Sequence, residues 1–265
     1  MAKSVNPVVK IIGKFDDQVH VENKYGRHIR KVSNKKGSKE TPAFKEQQFR
    51  TSFINKYASE INRLADRYAE HRKVTNFYHQ IQKKFRINYS ENRYLLLNQL
   101  KGLNVLKKPL EKLSFHEFGV IINKDHFDIE LKIKQHPPGG KYDASCYSYD
   151  IIIITWKKGE DNGTAEKKHT QWYSRYEKVP TFDIRFKHPT GTEHWLLLLR
   201  IHLGDKNHAL DFSDTSAMQI IETGTMNAKD ELELKKKKAA LEKERIAKQL
   251  KKDCIDDEER IMARK

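Results

Sequence analysis

The chain has 265 residues, 37% apolar and 33% charged, with a net charge of +16 and a mean hydropathy of −0.84. This length admits one large domain or two small ones, and the polar composition fits a core that carries long solvated segments. The longest apolar runs, Trp195 to Leu199 and Ile151 to Ile154, fall far short of the ~20 residues that span a bilayer, and Lys10 interrupts the apolar start, so neither a membrane-spanning helix nor a signal peptide is read.

Residues 1–40 read as a basic β-hairpin arm and linker. Val19 and Val21 alternate with polar neighbours, Asn23-Lys24-Tyr25-Gly26 supplies a turn, and HIRKV resumes an extended pattern. Residues 33–41 contain no apolar side chain and read as a connector. The 41–113 segment reads as helical. Thr41 is placed to cap a helix with Pro42 at its first position, and Phe49, Phe53, Tyr57, Ile61, Leu64 and Tyr68 recur along one helical face. A second helix is expected through Phe77, Ile81 and Phe85, and a third from a Ser90 cap through Tyr94, Leu97 and Leu100 to Gly102.

From about residue 114 the period changes to two. Phe127, Ile129, Leu131 and Ile133 alternate with Asp128, Glu130, Lys132 and Lys134, the signature of a strand with one wet face. SCYSYDIIIITW, the Phe182-Ile184-Phe186 alternation, Trp195 to Leu203 and Ala217 to Thr223 continue it, predicting about seven strands of an antiparallel β-sandwich over 114–225. Residues 226–265 are densely charged with both signs and predict a solvated helical tail. The expected fold class is therefore α+β: an N-terminal hairpin and helices, then an antiparallel sandwich, then a charged C-terminal helix.

Chemistry-bearing patterns are sparse. Cys146 and Cys254 stand far apart and read as reduced thiols, and the twelve histidines form no HxH or HExxH pair. His194 and His202, eight positions apart in one strand, share a face but lie ~26 Å apart, too far to share an ion. No GxSxG, GxGxxG or GxxxxGK[ST] motif occurs. These patterns predict no enzyme, no metal and no cofactor.

Charge is unevenly placed: +14 on residues 1–120, −1 on 121–230 and +3 on 231–265. Lys24, Arg27, Arg30, Lys31, Lys35, Lys36 and Lys39 form a basic run that predicts contact with a polyanion, either nucleic acid or an acidic protein surface. Lys73, Lys83, Lys84, Arg86, Lys101, Lys107 and Lys108 would extend it. Trp172, Tyr173, Arg175 and Tyr176 are candidates for stacking bases or sugars, while alternating faces of a sandwich give the same composition without any ligand.

IIGKF, KYGRHIRKV and TPAFKEQQFR together resemble a family of proteins without assigned activity encoded in Bacteroidetes genomes, their phages and mobile elements. In that family a glycine-lysine start, a GR-x-x-RK strand and a T-P-[AQ] helix start precede a β-rich part. The resemblance spans about residues 11 to 55, and the helical insert to residue 113 and the charged tail depart from it. It implies a structural or mobile-element role and carries over no functional residue. The leading expectation is a non-catalytic structural or assembly protein with a protein partner and a basic arm, cytoplasmic or, if phage-derived, in a virion. Sequence-nonspecific nucleic-acid binding and a carbohydrate-binding sandwich are the alternatives.

Overall fold

The computed structural model describes residues 13–15, 18–23, 26–31, 41–69, 74, 76–123, 125–139, 141, 143–205, 208–210, 212 and 214–262, with side chains described from Thr41 onward except 244 and 247–262. The chain divides into two compact units, Met1–Phe49 and Arg50–Lys265. The first holds a three-stranded antiparallel sheet of β1 (Gly13–Phe15), β2 (Gln18–Asn23) and β3 (Gly26–Lys31), in which Asn23 faces Gly26 across the expected turn.

Helix α1 (Pro42–Ala69) starts where its punctuation places it: Thr41 Oγ1 accepts the Phe44 N–H at 3.3 Å. Its buried face is Ile54, Tyr57, Ala58, Ile61, Leu64, Ala65 and Ala69, a narrower stripe than the aromatic periodicity predicts. Phe49 is 55% exposed and does not belong to that buried stripe. Helix α2 (Phe77–Ile87) buries Phe77, Ile81 and Phe85 as its spacing requires. Helix α3 (Arg93–Asn98) is capped by Asn92 rather than Ser90. The Asn92 Oδ1 accepts the Tyr94 N–H at 2.9 Å, while Ser90 Oγ holds the Asn92 N–H one step earlier.

Nine strands follow: β4 (Phe115–Ile122), β5 (His126–Gln135), β6 (Cys146–Lys157), β7 (Thr164–His169), β8 (Tyr173–Ser174), β9 (Thr181–Lys187), β10 (Thr192–Asp205), β11 (His208–Ala209) and β12 (Ser216–Thr225). Helix α4 (Ala228–Met262) closes the order. All the pairings among the described residues are antiparallel. β6 and β10 form the centre of a six-stranded sheet with β7 and β8 beside β6 and with β11 and β12 beside β10; β4, β5 and β9 form a second sheet in that order. The α+β class is therefore the architecture of the molecule.

Its layering goes beyond a sandwich. Every residue of β6 from Cys146 to Trp156 is buried, so this strand is covered on both faces. Ile152, Ile154, Leu196, Leu198, Met218 and Ile220 pack with the buried faces of α1, α2 and α3. Ile151, Ile153, Leu197, Leu199 and Ile201 pack instead with Phe127, Ile129, Leu131 and Phe186 of the second sheet. The order is helices, six-stranded sheet, three-stranded sheet. Period-two alternation divides one apolar strand between two cores.

Candidate functional site

The basic run is only partly placed. Lys24, Lys35, Lys36 and Lys39 lie outside the described residues, as does Lys73. Arg27, Arg30 and Lys31 fall on β3, in register with Glu22, Val19 and Gln18. Of the residues expected to extend the run, Lys83, Lys84 and Arg86 of α2 and Lys107 are exposed. Lys108 is half-buried, and Lys101 is committed to Glu222 at 2.6 Å.

The aromatic set does not form one platform. Tyr173 stacks on Phe182 with ring centroids 5.7 Å apart and joins the core between the two sheets. Trp172 lies against the His169 ring and over Gly204, where a Cβ would approach its ring within 2.8 Å of Cη2. Arg175 Nη1 donates to the Ala144 carbonyl at 2.9 Å. Only Tyr176 stands free in solvent, at 81% exposure. Trp172 and Tyr176 lie outside the two-residue strand β8 that holds Tyr173, so the rings do not present one shared face for a base or sugar to stack on.

Histidines become interesting only in three dimensions. Asp150 of β6, 2% exposed, accepts from His202 Nε2 at 2.9 Å and His169 Nδ1 at 2.6 Å, with Lys167 Nζ at 3.6 Å. Burial opposes its charge, yet the hydrogen bonds from His202 and His169 and the nearby Lys167 hold the carboxyl well below the usual carboxylate range. Ser148 lies opposite His202 in the register, but His202 Nε2 is taken by Asp150 and the Ser148 hydroxyl is fully buried without a hydrogen-bond partner. The three residue types of a hydrolytic triad are thus present without its geometry. Elsewhere, Glu193, His194 and Asp230 bring one ligand atom each within 4.8 Å of one another. Sequence spacing hides this group, because Asp230 arrives from the first turn of α4.

An open feature is the β4 edge of the three-stranded sheet. Among the described residues β4 pairs with β5 on one side and with no strand on the other. Phe115 is 42% exposed and Ile121 61%, while Phe118, Val120 and Ile122 line a cleft of about 260 Å³. Trp195, Tyr94, Glu222, Glu231 and residues 223–225 of β12 complete that cleft. Gly224 is required there: a Cβ on it would overlap the Trp195 indole. The hydroxyls of Thr223 and Thr225 and the carboxylates of Glu222 and Glu231 give the cleft a polar, acidic rim over an apolar floor. No family model, curated protein or solved structure matches this chain, so the residues of β4 and of the cleft are read from their geometry alone.

Proposed function

We propose that this chain is a non-catalytic assembly protein whose copies join through the free edge of β4. The carrying observation is that, among the described residues, β4 lacks the charged or covered edge that β7, β9 and β12 have. β7, an edge of the larger sheet, carries Glu166, Lys167 and Lys168. β9 presents Thr181, Asp183, Arg185 and Lys187 on its exposed face. The outer side of β12 is covered by residues 102–106, through the hydrogen bonds of Gly102, Leu103 and Val105 to Met218 and Ile220. β4, FHEFGVII, has no lysine, arginine or proline, and unprotected apolar edges of this kind pair with further strands.

A second copy suits this edge. Two antiparallel β4 strands related by a two-fold axis at Phe118 place Phe115 opposite Ile121 twice, so the exposed apolar side chains cover each other. Glu117 then faces Gly119 rather than its own copy, and stays paired with Lys134 at 2.5 Å. Sedimentation equilibrium of the full chain tests the reading. A dimer is expected for the natural sequence and a monomer for Phe115→Lys/Ile121→Lys, whose exposed positions leave the core untouched. A monomeric natural protein at ~10⁻⁴ M, the weak end of specific association, removes the reading, and so does a double variant that remains dimeric.

A second reading, sequence-nonspecific nucleic-acid contact, is favoured by the exposed Lys83, Lys84 and Arg86 on one helix and by the charge excess before residue 120. Filter binding across salt separates it: affinity for a random duplex should fall roughly 10³-fold between about 50 and about 200 mM salt if some six phosphates are met.

A further inference from the structure

Glu193, His194 and Asp230 gather two carboxylates around a buried imidazole. His194 is 5% exposed, lies parallel to the Tyr94 ring, and offers Nδ1 to Thr225 Oγ1 at 3.2 Å. That hydroxyl has one proton and four polar neighbours. The Asn227 N–H at 3.0 Å can only donate to it. The Glu193 carbonyl at 3.1 Å and Asp230 Oδ2 at 3.4 Å can only accept from it. When the hydroxyl proton goes to either of those oxygens, His194 Nδ1 meets the hydroxyl as an N–H donor.

In that tautomer Nε2 carries the lone pair. It has no hydrogen-bond partner among the described residues; its neighbour is the Glu193 Oε2 carboxylate oxygen, 3.6 Å away. Asp230 closes the third side and is itself steadied by Asn92 Nδ2, which donates to Oδ1 at 2.9 Å. Burial keeps the imidazole below its ordinary pKa, with Arg93 acting in the same direction, although Glu193 and Asp230 pull the other way. In this tautomer the lone pair of a buried imidazole and the carboxylates of Glu193 and Asp230 bring three ligand atoms within 4.8 Å of one another.

We propose that Glu193, His194 and Asp230 bind a divalent transition-metal ion of the Zn²⁺ type, which cross-links strand β10 to the first turn of α4. One such ion neutralises both carboxylates. The imidazole selects a borderline metal over Mg²⁺ or Ca²⁺, which prefer oxygen ligands alone. The His194 Nδ1–H bond to Thr225 and the Asn92 bond to Asp230 are the outer contacts that orient such ligands. Ligands on a tetrahedral zinc stand roughly 3.3 Å apart. Binding would therefore draw the Glu193 and Asp230 carboxylates, both only half-buried, inward from the present spacing of up to 4.8 Å. Thr225, which holds His194, also lines the cleft beside β4.

The test uses the full chain stripped with a chelator, then titrated with ZnCl₂ by calorimetry and with CoCl₂ by visible absorption. The expected result is one tight equivalent with a cobalt d–d band. Glu193→Gln and Asp230→Asn, which keep shape and acceptor oxygens, should each weaken it more than about tenfold, and the double variant should abolish it. Zinc should also raise the melting temperature of the natural protein and leave that of the double variant unchanged. The remaining histidines are common to all variants, so their weak binding cancels. The proposal is overturned by a natural protein with no saturable single equivalent, as a protonated His194 bridging the two acids would give. Variants that bind as well as the natural chain overturn it equally, and circular dichroism verifies that each has folded.

Discussion

Asp150 shows how much depends on one buried charge. It is encircled by His202, His169 and Lys167, so replacing one of its two carboxylate oxygens by an NH2 leaves a donor facing a donor. Asp150→Asn is expected to destabilise by about 3–5 kcal/mol, the usual loss when one partner of a buried pair is removed; urea unfolding measures it. The pH dependence has a definite sign. The folded-state pKa of Asp150 is depressed, so its contribution is complete above the unfolded carboxyl value of about 3.9 and disappears as pH falls below it. The urea midpoint of the natural protein should therefore drop more steeply in acid than that of the variant, and parallel curves would contradict the assignment. At Gly224 the reason is steric. Gly224→Ala pushes a methyl into the Trp195 ring and should lower stability by about 1–3 kcal/mol, read from the thermal midpoint. The sequence displays an aspartate in a strand and a glycine near its end, but the partners that give them meaning, 52 and 29 positions away, appear only when the strands pair.

At the scale of elements, local signals were dependable where the cause was local. The Thr41-Pro42 helix start, the 3.6-residue spacing of α2 and the alternation of β5 all reflect interactions within one segment, and each element stands where that spacing puts it. Boundaries and faces moved where a neighbour decided them, as with Phe49 of α1 and the Asn92 cap of α3. Helix α4 is the opposite case. From Ala228 to Lys243 only Asp230, Leu234 and Lys237 are partly covered, and Leu232 and Leu241 are more than half exposed. Leu232→Ala and Leu241→Ala should therefore each change stability by less than about 0.5 kcal/mol, read from the urea midpoint. A larger loss at either position would mean that this face of the helix packs on the body.

Across the whole second unit, β6 and β10 bind two cores into one. Ile152 faces the helices and Ile153 faces the other sheet, so Ile152→Ala and Ile153→Ala should each cost about 2–5 kcal/mol. Both variants should lose helical and tryptophan signals in a single coincident transition. Separate transitions for the two signals would show that the layers are independent.

By itself the sequence determined the class: helical period to about residue 113, strand period to 225, then a charged helix, because periodicity is imposed by each segment's own backbone geometry. It also contained, in the unbroken apolar runs Ile151–Ile154 and Trp195–Leu199, the mark of strands covered on both faces. Only the tertiary structure decided what covers each face. It also exposed one edge at β4, dispersed Trp172, Tyr173 and Tyr176, and carried Asp230 to His194. Those outcomes depend on contacts between residues distant in the chain, and no single-segment pattern encodes which surfaces will meet.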